Sequence, residues 1–205
     1  MESQSSRQVM MVAAEASSAL YAEKLLKIWK AEKRNVHAFG IGSRQMAELG
    51  FEVRARSEDM SIIGLFEVLS HYRRIKAVFN DLVEQVKVRK PDFVLLMDYS
   101  GFNLRLAKKL KPLGVPVIYF ISPQVWAWRQ GRVKTIRENV DKMLVILPFE
   151  HEFYNKNNVA SEFVGHPLLD ELDPRLFDQK ERQFLRKKFG VHEGDFLVGV
   201  MPGSR

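Results

Sequence analysis

The stretch Asp92–Asp98, DFVLLMD, constrains the fold more than any other part of the chain. An apolar run without polar alternation does not suit a strand with one wet face; it reads as a parallel strand covered on both faces. Pro91 stops the helical pattern that precedes it. Similar runs occur in Gln8–Ala14, Val115–Ile121 (VPVIYFI) and Lys142–Leu147 (KMLVIL). Between them the period changes. Ala22, Leu25, Leu26 and Trp29 mark a helix that starts at Ser17 or Ser18, with a serine cap, and runs to about Lys33. Asn35–Ile41 reads as a second strand, SRQMAELG as a short helix capped by Ser43 and ended by Gly50, and Phe51–Ala55 as a third strand.

The strongest helical face combines Leu65, Val68, Leu69, Tyr72, Ile75, Phe79, Leu82, Val83 and Val86, in two consecutive helices or one bent near Ser70. Further helices are expected over Phe102–Lys111, Arg129–Val140 and Phe149–Asn155. Alternating strands and helices of this kind give a doubly wound, mainly parallel Rossmann-like α/β domain over residues 1–165. Residues 166–178, with prolines at 167 and 174, read as a linker. Residues 179–205 read as a basic helix, Gln179–Phe189, and a strand within FLVGVMPGSR. Two such elements cannot bury their apolar faces alone, so they are expected to open a second, truncated α/β domain.

The chain has 205 residues and a formal charge of +7, which favours anionic partners over neutral ones. It has no cysteine and no apolar run approaching the ~20 residues that cross a bilayer. Its N-terminus makes a poor signal peptide, so a cytoplasmic location is expected.

In an open α/β sheet the ligand lies beyond the carboxyl ends of the strands. That rule selects Glu15 and Ser17 after the first strand, Asp98, Ser100 and Asn103 after the fourth, and SPQVWAWR after the fifth. Asp98 is either a general base held by a buried strand or a cap for the next helix. Asn103 is a cap or a sugar contact. In an extended segment Trp126 and Trp128 share a side, where they either line the cleft beside Ser122 or close the core; Arg129 and Arg132 suit phosphate. His166, between Gly165 and Pro167, is a hinge or a ligand contact, and Gly203, Ser204 and Arg205 form a turn open to phosphate.

Other chemistries lack their signatures. Gly40 and Gly42 open a dinucleotide fingerprint, but Gln45 replaces its third glycine. The five histidines have no metal-ligand spacing and no D-x-D occurs, so neither a metal nor any other cofactor is expected. There is no G-x-S-x-G and no phosphate-binding G-x-x-x-x-G-K.

AEAS, DMSIIGLFEVL, MDYSGFNL, SPQVWAWRQGRV, LPFEHEFY, FVGHPLLDEL and MPGSR occur in the order seen in lipid-A-disaccharide synthases, and from about Val9 to Arg205 the chain resembles the N-terminal half of that family plus the first strand of its second half. The resemblance implies a metal-free inverting glycosyltransferase of the GT-B arrangement, peripheral on the cytoplasmic face of the inner membrane. It implies UDP-diacylglucosamine and diacylglucosamine 1-phosphate as substrates, with Asp98 as base. The chain departs from the family's pattern at Ala14, Ser18, Ala19 and Gly101. Met60, Ile62, Ile63, Leu65 and Phe66, ahead of the basic HYRRIK, suit acyl chains and an anionic lipid surface. A homo-oligomer is compatible with the sequence. The alternative from another class is a non-catalytic module that binds single-stranded nucleic acid through its Trp/Arg loop; for the synthase no nucleic acid is expected.

Overall fold

The computed structural model describes residues 6–60, 68–128, 130–192 and 194–201. The chain divides into two compact units, Met1–Gly165 and His166–Arg205.

In the first unit the apolar runs form strands β1 (Arg7–Ala13), β2 (Val36–Gly42), β3 (Glu52–Arg56), β4 (Phe93–Met97), β5 (Val117–Phe120) and β6 (Lys142–Val145), and a seventh short strand, β7 (Ser161–Phe163), joins them. The sheet order is β3-β2-β1-β4-β5-β6-β7 and every pairing is parallel. Because side chains alternate along a strand, the central strands feed two cores. Met10 and Val12 of β1 join Val94 and Leu96 of β4 on one face, while Val9, Met11 and Ala13 join Leu95 and Met97 on the other.

Helices α1 (Ala16–Ala31) and α2 (Arg44–Glu48) cover the second face through Ala19, Ala22, Leu26 and Met46. Helices α3 (Val68–Arg89), α4 (Ser100–Leu110), α5 (Arg132–Asn139) and α6 (Pro148–Lys156) cover the first through Leu82, Val86, Leu106, Ile136 and Tyr154. The winding direction therefore reverses between β1 and β4, which opens the crevice of a doubly wound sheet at those strand ends.

Charges protect the β3 edge. Glu52 and Arg54 are exposed on it, Arg54 pairs with Asp81 at 2.7 Å, and Arg89 pairs with Glu52 at 2.6 Å while lying 4.6 Å over the Phe39 ring. These contacts clip α3 to an edge that would otherwise offer unpaired backbone to another chain.

Some local expectations change. α1 begins at Ala16, not at Ser17 or Ser18, and Glu15 is its cap residue. The Glu15 amide donates to Ser18 Oγ at 3.0 Å, and that hydroxyl donates back to the Glu15 carbonyl at 2.8 Å. α3 is one continuous helix across Ser70. Gly40 and Gly42 lie inside β2 rather than in a turn. A Cβ on Gly40, where φ is +135°, would lie 2.1 Å from the Met11 carbonyl oxygen, and one on Gly42 would meet Met46 and Phe51. Close packing explains both glycines without a dinucleotide.

In the second unit α7 (Gln179–Lys188) forms, with the Asp178 carboxylate accepting from the Lys180 amide at 2.8 Å. Two 3-10 turns, Pro167–Glu171 and Pro174–Phe177, occupy the expected linker. Over its described part, residues 196–201, the strand expected in FLVGVMPGSR does not form: the backbone there is irregular, and Phe196 is 93% exposed. A strand needs a neighbour for its amides and carbonyls, and among the described residues this segment has none.

Candidate functional site

At the end of β4 the backbone turns sharply. Asp98 and Tyr99 both adopt the left-handed conformation, with φ of 48° and 39°. Aspartate tolerates that region and tyrosine does not, and together they cost about 2–4 kcal/mol that surrounding contacts must offset. Those contacts are present. The Asp98 amide donates to the Phe120 carbonyl at 3.2 Å, and the Asp98 carbonyl accepts from Asn103 Nδ2 at 2.8 Å and from the Tyr119 hydroxyl. Burial raises the Tyr119 hydroxyl far above its ordinary value, and the Asp98 charge adds to this, so it remains a neutral donor.

Two contacts tie the segment after β4 to its neighbours. Burial first, then the Glu15 charge, raises the Tyr99 hydroxyl above its ordinary value. Tyr99 donates to the Met60 carbonyl at 3.4 Å and packs on Phe102 at 5.7 Å between ring centres. Arg132, at the start of α5, donates through Nη1 to Ser100 Oγ at 3.2 Å. Glu15 follows β1, Asp98 follows β4 and Arg132 opens α5, so two carboxylates and a cation stand at the carboxyl ends of the strands. Such a group can remove a proton from a hydroxyl and hold an anionic substituent nearby.

Other candidates take different places. Asn103 is fully buried, so it is not a direct sugar contact in this structure; it braces the elbow from beneath. Met60 is 2% exposed and belongs to the larger core, which removes it from a lipid-facing role. Ser17 is exposed on the first turn of α1. His166 Nδ1 accepts from the Leu168 amide at 3.2 Å and caps a turn of the second unit. Ile62, Ile63, Leu65, Phe66, Arg129, Gly203, Ser204 and Arg205 lie outside the described residues.

The tryptophan segment is not extended. After Pro123, which restricts the backbone, residues 125–127 turn: the Ala127 amide donates to the Gln124 carbonyl at 3.2 Å. The side-sharing expected of alternate residues in a strand therefore does not apply. Trp126 stands edge-on to Phe149 at 4.9 Å, whereas Trp128 is 64% exposed.

What fixes the loop is Glu150, 2% exposed, which the sequence reading missed. Its carboxylate accepts from Ser122 Oγ at 2.6 Å, Trp126 Nε1 at 3.2 Å and the Leu147 amide at 3.2 Å. Tyr154 caps the arrangement by donating to the Pro123 carbonyl at 3.4 Å, its hydroxyl pushed up to about 12 by burial. Ser122 and Trp126 thus brace the loop from inside. An acid in the first turn of a helix was the available signal, but its partner serine lies 28 residues earlier. Among the described residues no group of three His, Asp or Glu side chains is arranged to hold a metal.

Residues 9–205 match the family described as lipid-A-disaccharide synthetase. The chain is 45% identical over 199 residues to the lipid-A-disaccharide synthase of Trichlorobacter lovleyi, covering 97% of this chain and 51% of that protein. Identity is 42% over 200 residues with the synthase of Syntrophus aciditrophicus, covering 98% and 51%, and 41% over 198 residues with that of Koribacter versatilis, covering 96% and 51%. The chain belongs to the lipid-A-disaccharide synthase family. It spans about half the length of these relatives.

Among solved structures, Glycyrrhiza uralensis UGT73P12 complexed with glycyrrhetinic acid 3-O-monoglucuronide is similar, at a TM-score of 0.49 and 10% identity over 80% of this chain and 49% of that one. The Rossmann-like assignment rests on the sheet order itself. Membership in the synthase family leaves the nucleic-acid module without support, and no helix among the described residues is long and apolar enough to cross a membrane.

Proposed function

We propose that this chain forms the acceptor-side half of an inverting glycosyltransferase that joins UDP-2,3-diacylglucosamine to 2,3-diacylglucosamine 1-phosphate. In this reading the acceptor's 6-hydroxyl lies in the crevice between β1 and β4. Asp98 takes its proton as the oxygen bonds to the donor's anomeric carbon, the bond from that carbon to the diphosphate breaks, and UDP leaves with the electron pair. Inversion at that carbon gives a β-1,6 disaccharide. Proton removal matters because a neutral hydroxyl is a poor nucleophile toward an oxocarbenium-like centre.

The observation that carries the reading is the left-handed Asp98–Tyr99 elbow at the sheet's reversal point, in a chain of the synthase family. Glu15 and Ser17 are assigned to acceptor hydroxyls, Arg132 and Arg129 to its 1-phosphate, and Trp128 to the rim. Ser122 and Trp126 support the loop through Glu150. Gly203, Ser204 and Arg205 are assigned to the donor diphosphate, together with a second α/β half in the GT-B arrangement. The net charge of +7 suits work at an anionic membrane surface, and the apolar residues Ile62, Ile63, Leu65 and Phe66 suit its acyl chains.

The test joins this chain to the second half its relatives carry and presents both substrates in anionic vesicles. Mass spectrometry of the wild-type reaction should find the disaccharide 1-phosphate, with the protein sedimenting with the vesicles. Asp98→Asn should lower turnover by at least about a hundredfold without lowering the melting temperature, since general-base catalysis contributes about 10²–10⁴. Near-normal turnover by Asp98→Asn would remove Asp98 from the role of base.

A further inference from the structure

Asp98 does not hold its own position. A left-handed aspartate followed by a left-handed tyrosine relaxes toward ordinary backbone unless something fixes the peptide between them. The group that can be fixed is the Asp98 carbonyl, and two buried side chains point at it. Asn103, fully buried in the first turns of α4, donates through Nδ2 to the Met97 carbonyl at 3.1 Å and the Asp98 carbonyl at 2.8 Å. Tyr119, fully buried in β5, donates its hydroxyl to the same Asp98 oxygen. One residue reaches from the helix that follows the elbow and the other from the neighbouring strand, so the peptide is gripped from two elements.

Asn103 serves two carbonyls through Nδ2, and its Oδ1 is buried with no protein partner among the described residues. A flipped amide would set Oδ1 against both carbonyls, so the orientation is determined. Tyr119 remains protonated because burial, followed by the neighbouring Asp98 charge, disfavours the phenolate, so its donor role does not change with pH in the working range.

We propose that Asn103 and Tyr119 are positioning residues: they clamp the Asp98 carbonyl and so aim its carboxylate at the acceptor hydroxyl. The inference rests on the reading of Asp98 as base. A displacement of about 1 Å at a reacting group costs about a hundredfold in rate, so the clamp acts on kcat and not on binding.

The experiment compares wild type, Asp98→Asn, Tyr119→Phe, Asn103→Ala and Tyr119→Phe/Asp98→Asn, in the chain joined to its relatives' second half, with kcat, KM for the acceptor and thermal melts. Tyr119→Phe removes one oxygen and keeps the ring, so it should lower kcat by about 10- to 100-fold with acceptor KM within about twofold. Asn103→Ala should show the same split, and it decides the matter should Tyr119→Phe not fold. In the double variant, Tyr119→Phe should add nothing to the loss from Asp98→Asn. The clamp is overturned by a folded Tyr119→Phe or Asn103→Ala with wild-type kcat, by a loss confined to KM, or by full additivity with Asp98→Asn. High turnover by Asp98→Asn itself overturns the base assignment, and with it the clamp's purpose; an inactive Asp98→Asn beside a normal Tyr119→Phe overturns the clamp alone.

Discussion

Glu150→Ala should unfasten the tryptophan loop at a cost the structure allows to be counted. Three donors converge on this carboxylate in a site that is 2% exposed. The Ser122 hydroxyl can rotate toward Tyr154, but the Trp126 indole and the Leu147 amide, both partly buried, can only donate. A hydrogen bond to a charged group contributes about 1.5–3 kcal/mol, and because water can reach the two partly buried donors the loss should total about 2–4 kcal/mol. Glu150→Gln keeps one acceptor oxygen but turns an NH2 toward the remaining donors, so it should lose roughly half as much. Urea unfolding of the chain, followed by circular dichroism and tryptophan emission, measures both, and Trp126 should report the loop directly through a red-shifted native spectrum. A loss from Glu150→Ala under about 1 kcal/mol, with unchanged emission, would show that the carboxylate does not hold the loop.

Gly40→Ala should cost more than about 3 kcal/mol, because its Cβ would stand 2.1 Å from a carbonyl of the central strand at a φ of +135° that alanine resists; a thermal melt within a few degrees of wild type would contradict this. Acid should weaken the clip between β3 and α3. The hydrogen-bonded Arg54 holds the Asp81 carboxyl below its usual range, and Arg89 does the same for Glu52. A depressed folded-state value contributes stability above the unfolded value, and that stability is lost as pH falls through the folded one. Asp81→Asn should therefore cost under about 1 kcal/mol at neutral pH, since the pair is largely exposed, and nothing once the carboxylates are protonated. A difference between the two proteins that does not change with pH would refute the linkage.

The sheet was legible because its middle strands are buried on both faces, and burial on both faces writes itself as unbroken apolar letters such as FVLLM. β7 was not, because three residues, one of them Glu162, carry no pattern. Asp98 stands out in the sequence because a lone acid directly after such a run has its backbone fixed by the strand. Tyr119 within VIYF reads as one more apolar residue, and Asn103 reads as a cap or a sugar contact, not as a brace for the Asp98 carbonyl. The tryptophans were placed by alternation, which presumes an extended chain, while the actual turn depends on Glu150 reaching across from another helix. Met60 was drawn to the surface by its apolar neighbours in sequence, although its own side chain closes the core.

The order β3-β2-β1-β4 also dictates a timetable. β1 emerges first and pairs early with β2, but its other edge pairs with β4, and Gln8 bonds Asp92 across a separation of 84 residues. At about 5–20 residues per second, a ribosome takes several seconds to supply that partner. Throughout that interval one side of a strand whose last five residues are buried has only nascent chain beside it. The β1-α1-β2 unit is what shelters it first, so substitutions that weaken α1 against β1 should lower the yield of folded protein more than their effect on the finished molecule's stability indicates.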